Sequence, residues 1–270
     1  MPFIHAGGLT VHVDVSGPHD APPIVFANSL GTNLHIWDAQ AAALADRYRI
    51  VRYDMRGHGM TSFAPPGEDY AIPRLAGDLA ALLDALRIER ASVVGLSIGG
   101  MVGQRFAAAY PERVDALVLC ATGNRIGSPE VWNPRIEAVT SHGMSAIVDG
   151  VLARWFTPAT HAERPDLVRG FSMMVERTPV AGYAGCCAAI RDADLRADDA
   201  RITARTLVIS GAGDIVTPPS AGAEIRDAIP GARLEVIDDA AHMLCAERPD
   251  ALDRLLGGFI GATASSGSAR

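Results

Sequence analysis

An α/β fold, with a mostly parallel sheet flanked by helices and an inserted helical cap, is predicted by three features of this 270-residue chain. Short apolar strands alternate with helix-like stretches in both halves of the sequence, the pattern of a parallel sheet covered on both faces. Between about Gly127 and Ala200 buried strands disappear and only helical periods remain. A Gly-x-Ser-x-Gly turn, Gly95 to Gly99, stands between an apolar strand and a helix.

In chain order, Leu9 to Ser16 alternates like an edge strand. Ile24 to Ala27, Ile50 to Tyr53, Ser92 to Val94 and Ala116 to Leu119 are continuous apolar runs, as expected of strands buried on both faces. Leu75 to Leu86 and Gly99 to Ala109 read as helices between them. Strands return at Thr206 to Ile209 and Leu234 to Ile237, and a last helix runs from Pro249 to about Phe259. The cap periods are Val131 to Val139, Ala146 to Phe156, Leu167 to Arg177 and Ala181 to Ile190. The expected division is a core of residues 1–126 and 200–261, a cap of 127–199, and a loose, small and polar tail of 262–270.

Composition narrows the chemistry. The net charge of −7 argues against a nucleic-acid surface. All 24 basic residues are arginine, which excludes a Schiff-base lysine, a lysine-bound pyridoxal phosphate and the lysine of a phosphate-binding loop. No apolar run approaches the roughly 18 residues that would cross a bilayer. The N-terminus lacks the charged start and apolar stretch of a secretory signal. Cys120, Cys186, Cys187 and Cys245 match no zinc spacing, so they read as reduced thiols packed like small hydrophobes, and the expected location is the cytoplasm.

The glycines of Gly95-Leu-Ser97-Ile-Gly99 would let a strand turn sharply into a helix, raising the Ser97 hydroxyl above the sheet. A serine needs a base and a group that orients the base. His242 follows the strand Leu234 to Ile237, and Asp214 follows Thr206 to Ile209. Both therefore stand at the sheet edge that carries Ser97. The serious rival bases are His35 and His58, which also follow early strands; His58, in Asp54-Met-Arg-Gly-His-Gly59, reads as a structural loop. Asp238 and Asp239 are rivals for the orienting role but stand too close to His242 in sequence to turn back on it. Oxyanion donors are expected from the backbone N–H of Ile98 and of Leu30, the latter in Asn28-Ser-Leu-Gly31.

These residues resemble the α/β-hydrolase family, with the glycine elbow, the Asp54 to Gly59 loop, Gly211-Ala-Gly-Asp214 and Ala241-His242 in the family's order. The resemblance implies an eight-stranded, mostly parallel sheet. More narrowly the chain resembles 3-oxoadipate enol-lactonases, on Gly95 to Gln104, Arg154-Trp-Phe-Thr157 and the segment Tyr183 to Asp194. That resemblance implies hydrolysis of a small anionic lactone without metal or cofactor, in the catabolism of aromatic compounds by way of protocatechuate or catechol.

With no lysine, the partner of the substrate carboxylate should be an arginine. Asn133-Pro134 reads as an N-cap followed by proline at the first helical position. That would place Trp132 as a wall of the pocket and Arg135, or alternatively Arg191, on the carboxylate. Ser97 argues against dehalogenases and epoxide hydrolases of the same family, which carry aspartate there. A general carboxylesterase, a perhydrolase, a C–C bond hydrolase and a ligand-binding receptor remain the alternatives on this scaffold.

Overall fold

A computed structural model describes residues 3–63 and 70–261. Eight strands form one sheet: β1 (Phe3–Ala6), β2 (Leu9–Ser16), β3 (Pro23–Ala27), β4 (Arg49–Tyr53), β5 (Ala91–Leu96), β6 (Val114–Cys120), β7 (Arg205–Gly211) and β8 (Arg233–Ile237). Their spatial order is β1-β2-β4-β3-β5-β6-β7-β8. Only the β1–β2 and β2–β4 pairs are antiparallel. The six strands from β4 to β8 in that order run parallel. Every residue of β5 is buried, as its unbroken apolar run requires of a central parallel strand.

Helices α1 (Asp38–Leu44), α2 (Ile72–Ala85) and α3 (Ile98–Ala109) fall between the early strands. Between β6 and β7 come α4 (Pro129–His142), α5 (Val148–Trp155), α6 (Pro158–Glu163), α7 (Pro165–Glu176), α8 (Val180–Arg191) and α9 (Arg196–Asp199). No described strand interrupts them. This cap carries its own aromatic cluster, with Phe171 edge-on to Phe156 at 5.1 Å and to Trp155 at 6.3 Å. The chain returns through α10 (Pro219–Ala228), α11 (Leu244–Glu247) and α12 (Pro249–Gly261).

Two readings of the sequence are corrected. Leu9–Ser16 is an edge strand only in its second half, because β1 pairs along Leu9–His12 while Val13–Ser16 pair with β4 alone. The signal for β1 was present: Gly7 and Gly8, at φ +58° and +82°, supply the two positive-φ positions of a tight hairpin between Ala6 and Leu9. Asn133-Pro134 does not start a helix. Helix α4 begins at Pro129, and Pro134 lies inside it. Pro129 fits the first position equally well, and the exposed face around Pro134 lets water reach the carbonyl that its missing N–H leaves free.

The four cysteines are free and buried. Burial pushes the Cys187 and Cys245 thiols up to about 12, so they are poor nucleophiles. No helix among the described residues is long and apolar enough to cross a membrane. The expected loose tail, 262–270, lies outside the described residues.

Candidate active site

Ser97 is the residue between β5 and α3, at φ 59° and ψ −119°. An L-residue holds such a backbone only where its surroundings enforce it. The enforcement is visible in the neighbouring glycines. A Cβ on Gly95 would lie 2.2 Å from the Gly99 carbonyl oxygen, and one on Gly99 would lie 2.3 Å from the Ala27 carbonyl oxygen. The Ser97 N–H donates to the Cys120 carbonyl at 3.0 Å, and the Thr122 hydroxyl donates to the Ser97 carbonyl at 2.7 Å. The turn is thereby tied to the end of β6.

Asp214 lies three residues past the end of β7, and His242 five past the end of β8. His242 Nδ1 donates to Asp214 Oδ2 at 2.9 Å, with both side chains buried. The Thr217 hydroxyl donates to the same oxygen at 2.7 Å. The backbone N–H groups of Val216 and Thr217 donate to Oδ1 at 2.8 and 3.0 Å. Burial pushes this carboxyl up, but the charge and hydrogen bond of His242, with the Thr217 donors, outweigh it and hold Asp214 below the usual carboxylate range. An ionised Asp214 fixes the imidazole proton on Nδ1 and leaves Nε2 free to accept one.

His242, Ser97 and Leu30 share one small chamber of about 30 Å³, walled by Trp132, Trp155 and Tyr183. It continues into a vestibule of about 240 Å³ that shares Trp132, Arg135 and Trp155 with it. Neither the Leu30 nor the Ile98 N–H has a protein acceptor among the described residues. For Ile98 that follows from its place at the start of α3, where N–H groups lack intrahelical partners.

The rival residues fall elsewhere. His35 sits on the surface beside Asp38, at 3.1 Å. Asp238 and Asp239 are exposed, and Asp239 faces Arg248. His58 is buried in the loop after β4, where its Nε2 accepts the Gly31 N–H at 3.0 Å.

The substrate-contact residues divide. Trp132 is buried, and its ring N–H donates to the Ile126 carbonyl at 2.7 Å. Arg135 lies over the Trp132 ring, 5.1 Å from its centroid, and reaches the Tyr183 hydroxyl. Arg191 is not in the chamber. It pairs with Asp192 and donates to Asn133 Oδ1 at 2.9 Å. Its guanidinium borders a different cavity, of about 700 Å³, which contains none of Ser97, His242 and Asp214. Sequence reasoning also missed Arg154, which lines the vestibule one helical turn beyond Val151. Burial, and then the nearby Arg135 charge, lower its pKa.

Glu247 was missed too. Its Oε1 accepts the Thr157 N–H (2.8 Å), the Thr157 hydroxyl (3.0 Å) and the Thr160 hydroxyl (2.7 Å), all from the cap. Its Oε2 accepts the Ala241 N–H at 2.6 Å, immediately before His242. The Met243 N–H donates to the Trp155 carbonyl at 3.0 Å. The cap is therefore bonded to the chain on both sides of His242.

Comparison with known proteins agrees with this architecture. The chain is 37% identical to 3-oxoadipate enol-lactonase 2 of Acinetobacter baylyi, over 94% of this chain and 96% of that protein. Its backbone superposes on the crystal structure of the enol-lactonase from Burkholderia xenovorans LB400 with a TM-score of 0.93 at 41% identity, covering 96% of this chain and all of that one. Est816, described as an N-acyl homoserine lactone degrading enzyme, superposes with a TM-score of 0.84 at 30% identity, covering 96% of this chain and all of that one. Residues 22–249 match the model of the alpha/beta hydrolase fold family, and the chain belongs to that family.

Proposed function

We propose that the protein hydrolyses 3-oxoadipate enol-lactone to 3-oxoadipate through a Ser97–His242–Asp214 triad, as a cytoplasmic step in the catabolism of aromatic compounds by way of protocatechuate or catechol. The observation that carries the reading is the 2.9 Å bond from His242 Nδ1 to a buried, ionised Asp214, which leaves Nε2 basic in the chamber of Ser97. The enol-lactonase relatives supply the substrate class.

In this mechanism Ser97 Oγ attacks the lactone carbonyl while His242 Nε2 takes its proton. The Ile98 and Leu30 N–H groups receive the developing oxyanion, each such donor typically being worth roughly 3 kcal/mol of barrier. The ring C–O bond breaks, and the imidazolium protonates the departing enolate oxygen. Neutral His242 then activates water, which releases the acyl group from Ser97. The enol product tautomerises to the ketone in solution.

The inner chamber holds little more than a water molecule, so a ring bearing a carboxymethyl arm extends into the vestibule. There Arg135 supplies the cation for the arm's carboxylate, held over Trp132 at a position common to both spaces.

The test mixes purified protein with enzymatically generated enol-lactone and follows its ultraviolet absorbance. Rapid loss is expected from the wild type and none from Ser97→Ala. Fast turnover of p-nitrophenyl acetate with an untouched lactone would replace the lactonase by a general esterase.

A further inference from the structure

Several arginines of this protein are matched by carboxylates. Arg52 meets Asp14, Arg56 meets Asp78, and Arg105 meets Asp198. Arg135 and Arg154 have no carboxylate partner among the described residues, and both line the same vestibule, where the Arg135 charge bears on Arg154. They reach the vestibule from two different cap helices, α4 and α5, and its remaining walls include the apolar side chains of Ile126, Val151 and Val216.

Two like charges lining one half-buried space repel each other, and apolar walls beside them weaken the screening that water would give. An anion placed between them reverses the sign of that interaction, and a guanidinium offers a carboxylate two parallel N–H donors. The site therefore has more cationic capacity than one carboxylate uses. Arg135 borders both the Ser97 chamber and the vestibule, whereas Arg154 borders the vestibule alone.

We infer that Arg154 is a second carboxylate-binding residue, which with Arg135 makes the vestibule a capture site for small dicarboxylates. The inference rests on the reading of Ser97 as the nucleophile of a lactonase that takes a monoanion. Such a substrate, with its ring at Ser97, engages Arg135 with its single arm. Hydrolysis creates a second carboxylate at the inner end of the product. A step outward brings the leading carboxylate to Arg154 and the trailing one to Arg135, so product and related dicarboxylates bind where the substrate's charge is too small to fill both positions.

Calorimetric titration of the full-length protein with adipate and with hexanoate tests this without relying on turnover. The two probes share six carbons and differ in one carboxylate. The wild type should bind adipate at least about tenfold more tightly, the equivalent of one added charge-assisted contact. Arg154→Gln should bring the two affinities within about twofold, and Arg154→Lys, which keeps the charge without the two parallel donors, should restore part of the preference. Arg135→Gln should weaken both ligands. Equal binding of the two acids by the wild type, an undiminished preference in Arg154→Gln, or adipate binding untouched in Arg135→Gln would each overturn the proposal. Loss of lactone turnover as the assigned activity, with the adipate preference intact and dependent on Arg154, would instead remove the lactonase reading and leave a dicarboxylate site standing.

Discussion

The Gly31 N–H donates to Nε2 of the buried His58 imidazole at 3.0 Å, so the loop carrying Leu30 hangs from a histidine that does not line the Ser97 chamber. That bond requires Nε2 unprotonated, with the ring proton on Nδ1 facing the Arg56 carbonyl at 3.2 Å. Burial lowers the His58 pKa, against the opposing pull of that carbonyl and of Asp54, and keeps the acceptor available in mild acid. Asp54 holds the same loop further on, accepting the Leu34 N–H at 2.8 Å.

His58→Leu should therefore lower kcat by about 10- to 100-fold with a smaller effect on KM, because a donor displaced by an ångström loses the oxyanion. It should also destabilise the fold by about 1–3 kcal/mol through the unpaired Gly31 N–H. The stability that neutral His58 contributes is lost as pH falls below about 6.5, where the unfolded histidine binds a proton that the folded one refuses. The variant should show a shallower loss. Steady-state kinetics and urea denaturation at pH 5 and 7.5 measure both effects, and an unchanged kcat would remove His58 from any role in positioning the loop.

Glu247 bears on the other side of the site. Its four accepted hydrogen bonds join Thr157 and Thr160 to the backbone beside His242. Glu247→Ala strands four donors at once and should cost more than about 3 kcal/mol, enough to threaten folding. Glu247→Gln is the informative variant. It replaces one acceptor oxygen by an amide nitrogen that faces donors, and should lower kcat about tenfold while the melting temperature falls by several degrees. A drop in melting temperature with kcat intact would make Glu247 a structural clamp only.

The sheet and the Ser97 turn were legible because each is fixed by local chemistry. Apolar runs such as Val93-Val94 fit only a buried strand, and Gly95 and Gly99 sit where any side chain would strike a carbonyl. The grouping of Asp214 with His242 was legible from their places after strands. Arg154 and Glu247 were not, because their roles arise from contacts made through the cap, and sequence spacing carries no information about which cap side chain meets which loop. Helix α4 was misread for a related reason: Ser128-Pro129 and Asn133-Pro134 are equally good starts, and only tertiary packing of Trp132 chooses between them.

Asp214→Asn tests the orientation of the base. The amide would present its N–H group, or a weaker acceptor, to His242 Nδ1 and favour the tautomer with its proton on Nε2. A kcat reduced by roughly 10⁴-fold is expected, with substrate affinity little changed. Because Asp214 is held below the usual carboxylate range, the stability it contributes is present above about pH 4 and is lost as pH falls through its folded pKa. Stopped-flow kinetics on the lactone supply the rate, and a loss of less than tenfold would shift the orienting role to another group.

Asp199 offers a pH effect of the opposite sign. It is fully buried at the foot of the cap, neither of its oxygens has a well-formed hydrogen bond among the described residues, and burial raises its pKa to about 7. Asn124 beside it and the Asp198 charge act as smaller influences. An unfolded aspartate loses its proton near pH 4, so between about pH 4 and 7 the folded chain retains a proton that the unfolded chain releases. The contribution of Asp199 to folding stability falls across that interval and the deficit persists above it. Asp199→Asn, neutral at every pH, should stabilise the protein by about 1–3 kcal/mol at pH 8, with the gain shrinking toward zero by pH 4. Urea denaturation at pH 4.5, 6 and 8 reads this directly. A gain independent of pH would mean that the introduced amide acts through packing, and a loss at pH 8 would mean that the carboxylate is held by a partner it needs.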